Sequence, residues 1–248
     1  MTDAWLDSEY FPSPQSASAE GILSVGGDLT VERLLDAYCH GIFPWPVRVE
    51  DFDEDLLVWW SPDPRAIIDW DRFRIPRRLI RKMRNSNWLI TSNTKFEEVV
   101  YGCASDNFRK DNTWITTEIM EAYEALHDAG HAHSVEVLEG STLVGGVYGV
   151  AIGGMFAAES MFYRRSDASK VALAALVDHL RIQGFHLFDI QQMTPHLKSL
   201  GAVSLERNQF LSHLKQAIAQ PVTFGALHVE LASVTDSIMR YQRKSDSR

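Results

Sequence analysis

Cysteine is scarce in this chain, and metal-ligand spacing is missing. Cys39 and Cys103 are its two cysteines, far apart and in no CxxC arrangement, which argues against a zinc site or a disulfide scaffold. His131 and His133 stand two apart in GHAHS with no Cys or Asp at ligand spacing, so no metal is expected. No apolar run reaches the length of a membrane span, and no membrane association is expected. Internal repeats and low-complexity tracts are absent. GGVYGVAIGG lacks the GxxxxGK[ST] pattern of a phosphate loop, and no GxSxG nucleophile elbow occurs. MTDAWLDSEYF is acidic and lacks a basic-then-apolar signal pattern, so a reducing cytoplasm is the expected compartment.

Positive charge is also in short supply, except in one place. The 24 Lys and Arg against 33 Asp and Glu leave a net charge of −9. Yet Arg72, Arg74, Arg77, Arg78, Arg81, Lys82 and Arg84 crowd into residues 72–84 of DRFRIPRRLIRKMR, so the chain outside 72–84 stands at −16. An acidic protein with one basic strip can hold a local stretch of phosphates without coating itself in nucleic acid. A solvated helix face is the alternative. Helical order is present: Pro76 suits a first turn, Arg77, Arg81 and Arg84 fall at i, i+4, i+7, and Leu79, Ile80 and Met83 fall on the other side.

With 45% hydrophobic and 23% charged residues, the chain is an ordinary globular one, long enough for a real core. Thr30 caps a helix through VERLLDAYCH, with Gly41 beyond its end. IFPWP, an acidic loop around EDFDED, LLVWW, the tract SPDPRAII and the basic helix follow. These pieces suggest a small N-terminal domain over residues 1–95 and a second domain over 96–248. The second half reads as a helix in TTEIMEAYEALHDAG with Ile119, Ala122, Leu126 and Ala129 inward, then a strand in HSVEVLEG. Two strands turn at Gly153–Gly154, a helix follows in SDASKVALAALVDHLRIQG capped by Ser166 or Asp167, and FHLFDIQ is a strand. TPHLKSLG is a short helix capped by Thr194, and a last helix spans about 205–220. The fold class is therefore α/β (α+β), with one central mixed sheet and helices on its faces.

Three groups of residues could carry chemistry. Glu159, between small residues and an aromatic patch, could act as a general base, or it could be salt-bridged to Arg164 or Arg165. Asp189 and Gln191 point to one face of a period-2 strand, where they could bind and orient an amine, or form a polar sheet edge. Trp45, Trp59, Trp60 and Trp114 lie in turn-rich segments, where aromatic faces can stack bases or fill a core.

The strings FPSPQ, GILSVGGDLTVERLLDAYCHGIFPW, WWSPDPRAI, GCASD, TWIT, AYEALHDAGHAHSVEV, LVGGVYGVAIGGMFAAESMF, ASKVAL, FDIQ and HLKSLGA resemble the bacterial leucyl/phenylalanyl-tRNA–protein transferase family nearly end to end. The resemblance implies a GNAT-like C-terminal acyltransferase domain behind a family-specific N-terminal domain. It implies transfer of Leu or Phe, and less well Met, from aminoacyl-tRNA to proteins beginning with Arg or Lys, as an N-degron mark for proteolysis. No cofactor is implied, because the ester is already activated, and a monomer is expected. By the same resemblance Glu159, Asp189 and Gln191 match the active-site acid, acid and amide, and Trp45 and Trp114 match aromatic residues that contact the 3′-terminal adenosine. Asp189 acting through Gln191 would take the amine's proton, or these groups would only position the amine.

The amino-acid side chain is expected against Val147, Phe156, Leu173, Leu176 and Phe188. Val147 stands where the family commonly has Met, and Leu173, Leu176 and Leu180 where larger aromatics occur, which bears on the Leu/Phe/Met preference. Arg74, Arg77, Arg78, Arg81, Lys82 and Arg84 are the expected tRNA contacts. An acyl-CoA-dependent N-acyltransferase would need an R/Q-x-x-G-x-G/A turn, which ESMFYRRSDASK lacks. A non-catalytic RNA-binding module would leave Glu159, Asp189 and Gln191 without a purpose.

Overall fold

Helix caps and turn residues set the element boundaries in the computed structural model, which describes residues 7–49, 54–105 and 113–245. The order begins β1 (Ile22–Val25), α1 (Val31–Cys39), β2 (Phe43–Pro44), β3 (Val47–Val49), β4 (Glu54–Leu56), β5 (Val58–Trp60), β6 (Arg65–Ile68), α2 (Arg77–Asn85), β7 (Leu89–Ser92) and α3 (Phe96–Ser105). It continues with α4 (Thr117–Asp128), β8 (Ala132–Glu139), β9 (Thr142–Ile152), β10 (Met155–Tyr163), α5 (Ala168–Gln183) and β11 (Leu187–Gln191). It closes with α6 (Pro195–Ser199), β12 (Ala202–Leu205), α7 (Arg207–Ile218), β13 (His228–Glu230) and α8 (Leu231–Ser245). Thr30, Thr116 and Thr194 accept from the backbone N–H of Arg33, Ile119 and Leu197, which satisfies orphan donors at three helix starts.

The molecule is built on an eight-stranded sheet ordered β12-β6-β11-β10-β9-β8-β7-β13. The neighbouring strands run antiparallel except for β10 and β11, which are parallel. A parallel pair needs a crossover, and α5 supplies it. Twelve of the residues of α5 are buried, as expected of a helix covered on nearly all sides. Val147, Phe156, Leu173, Leu176 and Phe188 belong to the core on the α5 face, together with Leu79 and Met83 of α2 and Ile238 of α8. The opposite face carries α1, α3, α4 and α7, with Leu34, Val99, Tyr123, Tyr148 and Phe210 in its core. A smaller sheet, β1-β5-β2, and the ribbon β3-β4 complete the N-terminal part.

Several expectations shift. SPDPRAII, read as a tract between elements, holds strand β6, which lies between β12 and β11. β6 and β7, both before residue 95, are strands of the large sheet, so the sheet runs across that boundary. Pro76 is the residue before the helix rather than its first position. Ala129, expected inward, is exposed as the C-cap of α4. Asp167 stands at the N-cap of α5 without capping it, because its carboxylate faces Lys82 and Lys170. The chain does not end on α7: β13 and α8 follow. Of the acidic loop EDFDED at 50–55, residues 50–53 lie outside the described residues. No helix among the described residues is long and apolar enough to cross a membrane.

Candidate active site

Two irregularities in the sheet build the site. β10 carries a bulge between Ala158 and Ser160, at Glu159. β11 carries another between Asp189 and Gln191, where Gln191 adopts a left-handed φ of 61°. The parallel ladder between these strands ends at Ala157↔Asp189, so the bulged residues stand where the two strands part. Bulges of this kind re-aim side chains beside functional sites.

Across that parting the Gln191 amide donates to Glu159 Oε1 at 2.9 Å. Tyr123 of α4 donates to Glu159 Oε2 at 3.0 Å, and its hydroxyl lies 2.5 Å from that of Tyr38 of α1. Glu159 therefore bonds to an amide and a tyrosine, not to Arg164 or Arg165. Arg165 pairs with Glu139, and Arg164 reaches the Leu143 carbonyl and lies over Phe162. Glu159 keeps part of its surface accessible. Loss of hydration still dominates its titration and raises it from 4.5 to about 7, with the Asp189 charge adding to the rise and the Tyr38, Tyr123 and Gln191 bonds opposing it. Burial, reinforced by the Glu159 charge, pushes the Tyr38 and Tyr123 hydroxyls well above their usual range, so they remain donors. Burial likewise raises Cys39 to about 11, which keeps it mostly as the thiol near neutral pH.

Asp189 is held differently. Arg65 grips it bidentately, Nε to Oδ1 at 2.9 Å and Nη2 to Oδ2 at 2.6 Å, with exposures of 1% and 2%. Asp189 Oδ1 also accepts the Gln191 N–H at 2.8 Å. Arg65 is packed between Phe43 and Phe210, 4.6 and 4.7 Å from the ring centroids, and its Nη1 donates to the Gly41 carbonyl at 3.0 Å. Gly41, at φ 73°, makes the turn from α1 to β2 that aims this carbonyl. Reading the sequence alone missed Arg65, Tyr38 and Tyr123. The only signal for Arg65 was a lone cation ahead of the apolar AII, and both tyrosines fall on the apolar faces of their helices.

Trp45 and Trp114 come together with ring centroids 5.3 Å apart, tilted by 32°, and both are half-buried. Trp45 also lies 6.5 Å from Phe43, the ring beneath Arg65. Trp59 instead is fully buried core, and Trp60 donates to the Trp45 carbonyl. Val147, Phe156, Leu173, Leu176 and Phe188 are brought together, buried, on the α5 side. Asp189, alternating with Phe188 and Ile190, faces the other side of the sheet from this apolar group.

The basic strip divides. Arg77, Arg78 and Arg81 are exposed and make no side-chain hydrogen bond or ion pair among the described residues. Lys82 is committed to the Ser166 carbonyl, to Asp167 at 3.3 Å and to the Trp88 ring. Arg84 reaches Asp236 at 3.4 Å, and Arg74 bonds to the Asp71 and Phe73 carbonyls. His133 stacks on Phe224 and pairs with Asn93, and burial with neighbouring histidines lowers it to about 4. No cluster of potential metal ligands occurs among the described residues.

Residues 67–215 match the model of the leucyl/phenylalanyl-tRNA protein transferase family, and residues 27–63 match the model of that family's N-terminal domain. The chain belongs to this family. A leucyl/phenylalanyl-tRNA–protein transferase of Xanthomonas axonopodis pv. citri (strain 306) is 49% identical over 220 residues, covering 86% of each chain. One of Shewanella baltica (strain OS155) is 48% identical over 217 residues, covering 86% of this chain and 89% of its own. Within the family frame, Arg65 lies between the two matched segments, and the acids and amide lie in the second.

Proposed function

We propose that this protein transfers Leu or Phe, and less well Met, from aminoacyl-tRNA to the N-terminus of proteins that begin with Arg or Lys, marking them for N-degron proteolysis. The reading rests above all on the Glu159–Gln191 contact at the parting of β10 and β11, beside the residues that hold the Trp45–Trp114 pair. Trp45 and Trp114 take the terminal adenosine of the donor. The leucine or phenylalanine side chain passes through the parting toward Val147, Phe156, Leu173, Leu176 and Phe188. Arg77, Arg78 and Arg81 hold phosphates farther along the tRNA, while Arg74, Lys82 and Arg84, already engaged, contribute charge to the same surface. The work takes place in the cytoplasm, in a monomer whose second half acts as a GNAT-like acyltransferase domain.

The chemistry needs a neutral acceptor amine. With both Asp189 oxygens engaged by Arg65, Glu159 is the carboxylate left to take the proton. A group that titrates near 7 suits this task. The amine nitrogen attacks the ester carbonyl, the C–N bond forms, and the proton passes to Glu159. As the C–O bond to the ribose breaks, Glu159 returns that proton to the departing ribose oxygen. Gln191 orients Glu159, and Tyr123, itself bonded to Tyr38, holds its other oxygen. The α-amine and the cationic acceptor side chain are drawn to the same accessible carboxylate. Incubation with labelled leucyl-tRNA and a peptide beginning with Arg should yield leucyl-peptide, while the same peptide beginning with Ala should stay unlabelled. No transfer to either, or equal transfer to both, refutes the reading.

A further inference from the structure

Arg65 is an expensive residue to keep where it is. A buried ion pair is seldom more stable than apolar residues of the same volume, because both charges must leave water. Here the pair is almost fully covered, and the guanidinium has a defined partner in each direction: Asp189 by two bonds, the Gly41 carbonyl by a third, and a ring above and below. The Asp189 oxygen that meets Arg65 Nε also accepts the N–H of Gln191, two residues on. That bond closes a local turn of the kind Asp side chains make with their own backbone. Gln191 is also one of three non-glycine residues with positive φ among the described residues, a conformation that the surroundings must enforce. The strained residue is the one whose amide touches Glu159.

We propose that Arg65 is a positioning residue of the transfer reaction. By fixing Asp189 on one side and the Gly41–Phe43 turn on the other, it sets where the Gln191 amide lies against Glu159. The inference rests on the function proposed above. It also ties the two ends of the chemistry together: Phe43 beneath Arg65 neighbours Trp45, so one guanidinium registers the nucleotide platform against the acid. Neither Arg65 nor Asp189 then needs to touch substrate. A lysine cannot replace this arginine, since one ammonium lacks the planar fork that meets both carboxylate oxygens and a carbonyl together.

The test is R65K, assayed for leucyl transfer to an Arg-initiated peptide below its own melting transition, with circular dichroism as the check of folding. The charge is kept and the fork is lost. Expected is a fall in kcat on the order of 100-fold, the size of effect that misplacement of a reacting group produces. KM for leucyl-tRNA should stay within about threefold, since donor-binding groups are untouched. A lowered melting temperature with wild-type kcat makes Arg65 merely structural and overturns the proposal. So does a rise in KM that accounts for the whole loss. If R65K does not fold, R65M/D189N removes both charges together and leaves no unpaired ion. It should show the same fall in kcat at unchanged KM, and wild-type kcat in that variant overturns the proposal too. Absence of transfer by the unaltered protein would instead refute the proposed function, so the two failures are distinguishable.

Discussion

The acid that suits the chemistry should destabilise the fold, and Glu159→Gln measures by how much. Folding raises Glu159 from 4.5 to about 7. At ~1.4 kcal/mol per pH unit, this corresponds to roughly 3 kcal/mol of stability lost once pH exceeds 7. Below about pH 4.5 Glu159 is protonated in the folded and the unfolded chain alike, and the penalty is absent. It grows as pH rises through the interval, because only the unfolded chain has released its proton, and it is complete above 7. The accessible part of Glu159 moderates this figure, and a glutamine would turn an NH2 or a single carbonyl toward the donors of Gln191 and Tyr123. We therefore expect Glu159→Gln to gain about 1–2 kcal/mol at pH 8.5. At ~2–4 °C per kcal/mol for a chain of this size, the melting temperature should rise by about 2–8 °C. The same comparison at pH 4.5 should show no gain, or a small loss from the poorer hydrogen bonds. Transfer should fall by about 10²–10⁴-fold with loss of the proposed proton acceptor. Thermal melts of both proteins across this pH range decide the matter. A gap between them that does not change with pH refutes the account of Glu159.

Three further outcomes are expected. Replacing Arg77 and Arg81 by Gln should weaken tRNA binding and flatten the slope of log K against log salt by about 1.4–1.8, whereas Lys82→Ala should mainly lower the melting temperature; filter binding across a salt series separates the two. Trp114→Ala should cost about 1–3 kcal/mol of donor affinity and leave acceptor KM unchanged, and a loss confined to the acceptor would dissolve the adenosine platform. Leu176→Ala should destabilise the core by about 2–5 kcal/mol and raise the ratio of Phe to Leu transfer in a competition between charged tRNAs; an unchanged ratio would move the side-chain pocket elsewhere.

The helices with a Thr cap and a periodic apolar face were legible in the sequence, as were the β9–β10 hairpin and the strand holding FDIQ. Their signals are local. β6 was not legible, because RAII is short and preceded by prolines, and only its distant neighbours β11 and β12 make it a strand. Asp189 and Gln191 were read as neighbours on one face of a regular strand. They are neighbours through a bulge and a left-handed turn, which no periodicity encodes. The partners of the acids were hidden for the same reason. Arg65 lies far from Asp189 in sequence, as Tyr123 does from Glu159, and nothing in their own surroundings separates a buried ligand of a carboxylate from an ordinary core or surface residue.

The place of β6 between β11 and β12 also sets the order in which the protein can be made. The ribosome releases β6 well before either neighbour exists, so for much of synthesis this strand has two open edges and no sheet to join. Pairing so distant in sequence is slow to form, and open strand edges invite pairing with other chains. Arg65, at the head of the same strand, has no carboxylate to meet until β11 emerges. The nascent N-terminal half can thus gather its own small sheet but not the Arg65–Asp189 pair, which forms only when the C-terminal third has been released to close around a strand made long before.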